Sequence, residues 1–291
     1  MDARHQLALD AAGLSGRPAR VQDAAGGGSA LLVDVSREEM LDAWAAARAA
    51  VDRTGRWPLL CSWHSAHDGD LFSRFYFDEG SKGADSSPAA VLARADTIDV
   101  DARLAEEAAQ WFRAADDEAG PEREATLAFY GDAPPEEEIR AAAAGAPFGA
   151  DRYLFDWERA REPLREPYQT VQDWFGSTEE AAALVLLPAA EPWAAYAYVD
   201  ALHDACGYGQ DLLVAAARRW YERYGAEPVA ALDVMTWLTV ARPPADPDDA
   251  WRLAFEHHVL AEATCRVPGV PLRQHARLLP HMNRWVLFSR P

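Results

Sequence analysis

Residues 212–244 read LLVAAARRWYERYGAEPVAALDVMTWLTVARPP and carry the clearest fold signal in the chain. Gly225 divides this stretch, and glycine is the usual residue just past a helix end because it adopts a left-handed backbone without steric cost. After it the apolar period changes from about 3.6 residues to two, which predicts strands at 228–232 and 234–240. Before it, apolar residues recur at helical spacing, at Leu213, Ala217, Trp220 and Tyr224.

A second helix and a last strand follow these elements. Asp246 is placed to cap the helix, and Pro247 suits its first turn because the nitrogen there needs no intrahelical partner. We expect a turn at Asp233 and the last strand at 285–288. The order helix, strand, strand, helix, strand predicts an α/β (mixed α+β) fold with a central sheet flanked by amphipathic helices. The expected buried stripe of the second helix is Trp251, Ala254, Phe255 and His258.

The same residues resemble the bacterial domain-of-unknown-function family 4253, over about the last hundred residues. A weaker similarity at 54–60 indicates that the upstream half of the family is present too. The family is functionally uncharacterised, so the resemblance implies a fold and no activity. The residues that carry it are Trp220, Arg223, Tyr224, Gly225, Ala226 and Glu227, then Arg242, Pro243 and Pro244, then Ala250, Ala254 and Glu256.

The chain also departs from the family pattern. Members resemble one another in a W-N-x-C-P element before the central helix, whereas residues 203–207 read HDACG and keep only Cys206. A C-P-D-like element after the long helix is replaced by Ala-Glu-Ala at 261–263, and the Trp-rich end has become Trp-Val-Leu-Phe at 285–288. Any chemistry that these polar elements perform in relatives is therefore expected to be lost here.

The upstream half contains a predicted crossover unit. Residues 30–35 form an apolar strand, Ser36 and Glu39 have the spacing of a capping box, and 57–62 form a second buried strand. Strand, helix and strand within so short a stretch predict a parallel, right-handed unit.

The domain organisation follows from composition. The acidic, proline-punctuated stretches 116–124 and 134–138 are expected to be surface loops or a linker. The aromatic-rich stretch 151–175 is expected to be irregular, and it either covers the core or forms a ligand groove. We expect a flexible N-terminal segment at 1–28, which includes the Gly26–Gly28 joint, an N-terminal α/β region at 29–132, an aromatic-rich connecting region at 133–180 and a C-terminal α/β domain at 181–291. Whether the two halves are separate domains stays open.

Charge and composition limit the possible partners. The formal net charge is −19 over 291 residues, so the surface repels nucleic-acid phosphate and favours a basic protein partner, although solubility alone also accounts for it. No apolar run approaches the roughly 18 residues of a membrane span, and the N-terminus lacks a signal layout, so we expect a cytoplasmic protein without membrane contact. The three cysteines are an odd number without a C-x-x-C pair, which argues against a disulfide or cysteine-rich zinc scaffold.

The most chemically suggestive segment is WHSAHDGD at 63–70, directly after a predicted strand. Imidazole and carboxylate groups suit zinc, manganese or iron, although a solvated loop collects the same residues. We therefore keep it as a candidate binding site without assigning a cofactor. Its residues are Trp63, His64, His67, Asp68 and Asp70.

Other candidate groups are weaker. His203 and Cys206 lie close in sequence, but nucleophilic catalysis needs their side chains within hydrogen-bond reach, which spacing cannot establish. His257 and His258 point about 100° apart on a helix, so they cannot jointly bind one metal, and His258 is expected in the core.

Two functional hypotheses remain. The first is a non-enzymatic interaction module, such as an immunity or antitoxin-like protein, that binds a basic partner. The second is a metal-assisted hydrolase that uses His64, His67, Asp68 and Asp70. The sequence leaves the oligomeric state open.

Overall fold

The computed structural model describes residues 3–68, 71–72, 85–111, 119–161, 181–202, 209–232, 234–266 and 270–289. The predictions for Asp70, Asp233 and residues 203–207 lie outside this part of the chain. The fold is mixed α/β, as the sequence predicts. The chain divides into two compact units that interleave along the sequence. Unit 1 comprises Met1–Ile98, Val171–Arg242 and Asn283–Pro291, and unit 2 comprises Asp99–Thr170 and Pro243–Met282.

Unit 1 contains a mixed sheet, which has seven strands in the residues described. They are β1 (Ala19–Asp23), β2 (Ser29–Ser36), β3 (Trp57–Ser62), β4 (Ala181–Leu187), β5 (Ala226–Leu232), β6 (Met235–Val240) and β7 (Arg284–Phe288). Their spatial order is β1-β2-β4-β3-β5-β6-β7. All neighbouring strands are antiparallel except β3 and β5, which are parallel.

The strand β4 lies between β2 and β3 in the middle of the sheet. Its sequence AAALVLL is a continuous apolar run, which is typical of a strand covered on both faces. Val185 pairs with Leu32 on one side and with Leu59 on the other. Because β4 is antiparallel to both neighbours, β2 and β3 are parallel to each other. This confirms the predicted parallel unit, with a third strand inserted between its two strands.

Thirteen α-helices occur in the described ranges. They are α1 (Ala3–Ala11), α2 (Met40–Ala49), α3 (Val51–Thr54), α4 (Trp63–Asp68), α5 (Pro88–Ala95), α6 (Val100–Trp111), α7 (Ala119–Tyr130), α8 (Glu136–Gly145), α9 (Gly149–Glu158), α10 (Gln210–Tyr224), α11 (Pro247–Leu260), α12 (Ala263–Arg266) and α13 (Leu272–Leu278). Short 3₁₀ turns occupy Pro192–Ala197 and Leu279–His281. None of the helices so described combines the length and the apolarity that a membrane crossing requires.

The sheet of unit 1 is covered by helices on both faces, and β7 shows how the two-residue period divides its side chains between them. Val286 belongs to a core cluster that includes side chains of α1, α2 and β2. The adjacent Trp285 meets Trp220 of α10 with ring centroids 6.3 Å apart and planes at 87°. Both indoles are at most 1% exposed, so this contact lies in the core.

The end of α10 is fixed by a glycine and an arginine. Gly225 has φ 61° and ψ 36°, the left-handed conformation predicted for it. The Arg242 guanidinium donates to the carbonyls of Arg223 and Glu222, at 3.3 and 3.1 Å, and its backbone N–H donates to the Tyr224 carbonyl at 2.8 Å. Arg242 therefore satisfies the carbonyl groups that a helix end leaves without intrahelical partners.

Several segments expected to be irregular are regular instead. The N-terminal segment 1–28 contains α1 and β1, and the glycine run lies in the turn between β1 and β2, while the flexibility of this segment stays a prediction. The acidic stretches contain the starts of α7 and α8, and 149–158 form α9. Proline explains part of this difference, because Pro121 lies in the first turn of α7, where its missing N–H costs no intrahelical hydrogen bond.

One further local expectation, the capping box of Ser36 and Glu39, is wrong. The helix after β2 begins at Met40 with Glu39 as its N-cap residue, and no side-chain capping bond forms there. The Ser36 hydroxyl instead donates to the Glu39 carboxylate at 3.1 Å.

The two helix-ending glycines Gly225 and Gly55 form a matched pair for mutation. Both have left-handed φ, 61° and 62°, but a Cβ at Gly225 would lie 2.9 Å from the Ala241 Cβ, whereas a Cβ at Gly55 would meet nothing within 4 Å. We expect Gly55→Ala to lower the free energy of unfolding by about 1 kcal/mol and Gly225→Ala by about 2–3 kcal/mol. Urea unfolding followed by circular dichroism measures both, and equal losses would contradict this account.

Candidate functional site

The histidine segment that the sequence singled out forms a helix rather than a solvated loop. Trp63–Asp68 is the single-turn helix α4, which follows β3 directly. His67 lies four residues after Trp63, so its imidazole stacks on the indole with centroids 3.8 Å apart, and its Nδ1 lies 2.8 Å from the Trp63 carbonyl oxygen. The helical spacing therefore gives His67 a structural partner within its own turn.

His67 has a second contact that the sequence did not predict. Its Nε2 lies 3.4 Å from Oδ2 of Asp34 on β2, while His64 is exposed and meets the Trp63 indole edge to face at 5.5 Å. Nothing in the spacing of WHSAHDGD indicates Asp34, because the contact depends on the arrangement of strands in the sheet. Asp68 ends α4, and no group of three or more His, Cys, Asp or Glu side chains that could hold a metal occurs in the described part of the chain, which includes neither Asp70 nor the side chain of Asp68.

The two cysteines within the described ranges are buried. Burial, together with the charge of Asp151, raises the pKa of the Cys265 thiol well above its ordinary value. Since the thiolate is the nucleophile, Cys265 stays protonated and shielded from solvent. The candidate Cys206 lies outside the described residues.

Two residues that carry the family resemblance, Glu227 and Trp57, share contacts with Arg48 in unit 1. Glu227 of β5 accepts two hydrogen bonds from Arg48 of α2, at 2.8 and 2.5 Å, and the Arg48 guanidinium lies 4.8 Å from the centre of the Trp57 ring. The Trp57 indole N–H in turn donates to the Pro228 carbonyl at 3.1 Å. The stretch 54–60, whose resemblance is weaker, thus lies directly beside the main motif.

A cavity of about 450 Å³ opens at the end of α10 in unit 1. Its polar groups have structural partners: Arg242 donates to helix carbonyls, and Glu227 accepts from Arg48. Tyr221 adds an aromatic wall and packs on Trp193 with centroids 5.4 Å apart. The cavity is therefore a consequence of how α10 ends, and the side chains of Arg242 and Glu227 are engaged in structural contacts.

Unit 2 contains a buried ionic network centred on Arg273 of α13, which is 2% exposed. Its guanidinium contacts three carboxylates, those of Glu122 at 2.5 Å, Glu158 at 2.8 Å and Asp151 at 2.9 Å. Burial acts to lower the pKa of Arg273, but the carboxylates outweigh this effect and raise the pKa above its ordinary value. The guanidinium therefore stays charged and joins α7, α9 and α13.

The network extends one helical turn further along α13. Arg277 lies 3.2 Å from the Glu158 carboxylate and also donates to the Tyr130 hydroxyl. Tyr130 donates to the same carboxylate at 3.3 Å, and burial is the main cause that raises the pKa of its hydroxyl. Glu158, 0% exposed, thus accepts hydrogen bonds from both arginines and the tyrosine.

A pair of buried histidines lies in the same unit. His257 of α11 and His275 of α13 approach each other with Nδ1 and Nε2 3.2 Å apart. Burial lowers the pKa of His275 to about 4 and that of His257 well below its ordinary 6.5. Of the two neighbouring histidines on α11, His257 is thus the one fully in the core at 0% exposed, whereas His258, which the sequence placed there, is half-buried against Phe148.

Unit 2 also has a groove with a volume of about 640 Å³, which we call the unit 2 groove. One wall is α11 and the other is the connection from α8 into α9. The aromatic stretch 151–175 was expected either to cover the core or to form a ligand groove, and its described part does both. Tyr153 lines the groove, whereas Phe155, two residues further on, lies in the core and is 1% exposed. The walls include Pro147, Gly149, Tyr153, Trp251, Arg252 and Phe255.

Residues 183–288 match the model of the family DUF4253, described as a domain of unknown function. The C-terminal segment of the chain is thus similar to the DUF4253 family, which confirms the resemblance seen in residues 220–256. The match begins within β4 and ends with β7, so the similarity at 54–60 lies outside it and stays a prediction. No curated protein and no solved structure matches the chain significantly.

The Arg273 network leads to a stability prediction. Arg273→Met leaves three carboxylates without their shared cation, so we expect the free energy of unfolding to fall by about 3–5 kcal/mol. Arg140→Met is the matched control, because Arg140 also pairs with a glutamate on a helix of unit 2 but is 64% exposed, and it should cost less than about 1 kcal/mol. Urea unfolding of both variants measures the difference, and similar losses would contradict a central role for Arg273.

The buried histidine pair leads to a prediction about pH. Because the pKa of His275 is about 4 in the folded chain and 6.5 is its ordinary value, the unfolded chain binds more protons between these pH values. The stabilising contribution is therefore complete above about pH 6.5 and is lost as the pH falls towards about 4. For one histidine, the free energy of unfolding changes by at most about 1.4 kcal/mol per pH unit.

We expect His275→Gln to reduce the pH dependence of stability by up to that slope between about pH 6 and 4.5. Glutamine retains a hydrogen-bonding group beside His257 but does not titrate, and the carboxylates titrate alike in both proteins. Urea unfolding across this pH range measures the effect, with the exposed His281→Gln as control. Parallel curves for the wild type and His275→Gln would show that the pair does not carry the effect.

Proposed function

We propose that this protein is a non-enzymatic interaction module that binds a basic protein partner, in the manner of an immunity protein or antitoxin. The observation that carries the proposal is the distribution of charge. Unit 2 has 23 acidic and 12 basic residues among 112, a formal net charge of −11, whereas unit 1 has 24 and 16 among 179, a net charge of −8. Unit 2 thus has about twice the negative charge per residue.

Exposed carboxylates on three helices of unit 2 supply part of this charge. Glu106 of α6, Glu124 of α7 and Glu137 of α8 are all exposed, so their fields extend into solvent. Charges of one sign attract an oppositely charged partner and speed its association, and they repel a nucleic acid. The surface therefore favours a basic protein over a phosphate-bearing ligand.

The reactive groups of unit 2 support a binding role rather than catalysis. The Cys265 thiol is buried with a raised pKa, and the histidines 257 and 275 are buried with lowered pKa values. A general base or nucleophile works best when its pKa lies near the operating pH and it reaches the substrate. These three groups have neither property at neutral pH.

A charge-matched pair of triple variants tests the proposal. The first, Glu106→Gln, Glu124→Gln and Glu137→Gln, neutralises exposed carboxylates of unit 2. The control, Glu38→Gln, Asp42→Asn and Asp52→Asn, neutralises exposed carboxylates of unit 1 and changes the net charge equally. We expect the wild type, immobilised in a lysate of its own cells, to retain a basic protein at about 50 mM salt and to release it at about 500 mM. Mass spectrometry identifies and quantifies it.

The unit 2 variant should lose most of the retained partner and the control should keep it. Equal retention by both variants, or retention of no basic protein, would contradict the proposal. Metal analysis tests the hydrolase alternative separately. Stoichiometric zinc, manganese or iron that is lost in His67→Ala but kept in the exposed control His281→Ala favours the hydrolase. Sub-stoichiometric metal, unchanged in His67→Ala, favours the interaction module.

A further inference from the structure

The unit 2 groove has the chemistry of a peptide-binding site. Trp251 and Phe255 lie one helical turn apart on α11 and are both half-buried, and Tyr153 stands opposite on α9. Ligand sites typically have volumes of about 300–1,000 Å³, apolar aromatic walls and a few fixed polar groups. At about 640 Å³ the groove has room for several side chains of a partner.

The groove wall is held in place by the fold. Phe148 caps α9 in a left-handed conformation, with φ 55°, and its ring packs edge to face against Phe255 at 5.8 Å and His258 at 4.9 Å. The backbone of Gly149 approaches α8 so closely that a Cβ there would collide with the Ala142 carbonyl oxygen. A left-handed backbone at a residue other than glycine, as at Phe148, persists only where the surrounding contacts hold it in place. A groove wall that is fixed before binding lowers the entropic cost of binding.

The polar groups of the groove are already oriented. Arg152 donates to Asp248 at 2.7 Å and to Asp156 at 3.1 Å, and its guanidinium lies 5.4 Å from the centre of the Trp251 ring. The Tyr153 hydroxyl donates to Glu138, which raises the pKa of the tyrosine to about 12. Arg152 is therefore neutralised and does not make the groove a site for anions.

The segments that form the walls are acidic. Residues 136–153 and 246–255 together carry seven acidic and three basic residues. The three arginines pair with Glu136, Asp248 and Asp249, so the excess that remains includes the exposed Glu137 and Glu138 at the start of α8. Apolar walls within an acidic rim favour a ligand whose apolar side chains are flanked by cations.

We propose that the unit 2 groove binds a segment of the basic partner in which apolar or aromatic side chains alternate with arginine or lysine. This inference rests on the proposed function. The apolar side chains pack on Trp251 and Phe255, and the basic side chains lie along the rim near Glu137 and Glu138. Amphipathic segments are commonly recognised through such apolar grooves, with anchor residues in the groove and charges at its edge.

Selection from a display library of random peptides about 12 residues long, on the immobilised full chain, tests the inference. We expect the selected peptides to be enriched in aromatic or aliphatic residues together with arginine and lysine. Trp251→Ala should weaken the best peptide by at least about tenfold, because aromatic anchors dominate such interfaces. Glu138→Gln, which keeps an acceptor for Tyr153 but removes the charge, should weaken it by about threefold and reduce its salt dependence.

The control is Phe129→Ala. Phe129 is an aromatic residue of the same unit, 53% exposed, that does not line the groove, so its replacement should change affinity by less than about twofold. Trp251 also packs on Phe155, with centroids 5.3 Å apart, so circular dichroism and thermal melting accompany every variant. If Trp251→Ala fails to fold, the variant Glu138→Gln still tests the inference, because Glu138 is exposed.

Three outcomes decide the matter. Basic, apolar peptides that lose affinity in Trp251→Ala and Glu138→Gln but not in Phe129→Ala support the inference. Peptides that bind all variants equally overturn the groove as the site while leaving the interaction module in place. Selection of acidic peptides, or of none, also overturns the inference, and the capture experiment with the two triple variants then decides the proposed function independently.

Discussion

The contact between Trp220 and Trp285 is the packing constraint on which unit 1 depends. The two indoles are fully buried and meet edge to face, an arrangement that contributes about 0.5–1.5 kcal/mol beyond the burial of their area. The contact forms only when the chain, after residues 243–282, returns to pair β7 with β6. The Val240 amide donates to the Asn283 carbonyl at 2.8 Å at the point of return. This aromatic contact thus joins α10 to β7, the strand that the chain forms when it returns to the sheet after residues 243–282.

Local signals allowed much of this unit to be predicted from sequence. The change from helical to two-residue period around Gly225 and the capping by Asp246 each depend on residues close in the chain, and the structure confirms both. The loop or linker expected at 116–124 contains the start of α7, because Pro121, interpreted as a loop signal, lies in the first turn of a helix. Local composition alone does not separate these two uses of proline.

The decisive polar contacts could not be predicted, because each joins distant parts of the chain. Arg48 and Glu227 are 179 residues apart, and Arg273 and Glu158 are 115 apart. An acidic chain offers many carboxylates to each arginine, so only the assembled fold selects the partner. For the same reason, the sequence did not predict that Asp34 contacts His67 or that His275 contacts His257. The groove was half predicted: the aromatic stretch suggested one, but its second wall comes from α11.

The ionic network joins a residue inside the segment that matches the family model to residues outside that segment. The DUF4253 match covers 183–288 and so includes Arg273, whereas the three carboxylates that surround it, on Glu122, Asp151 and Glu158, lie upstream of the match. A buried guanidinium without its carboxylates carries a desolvation penalty of several kcal/mol. The sheet has the same dependence, since β4 within the match lies between β2 and β3 outside it. The matched segment therefore needs the upstream residues in order to fold.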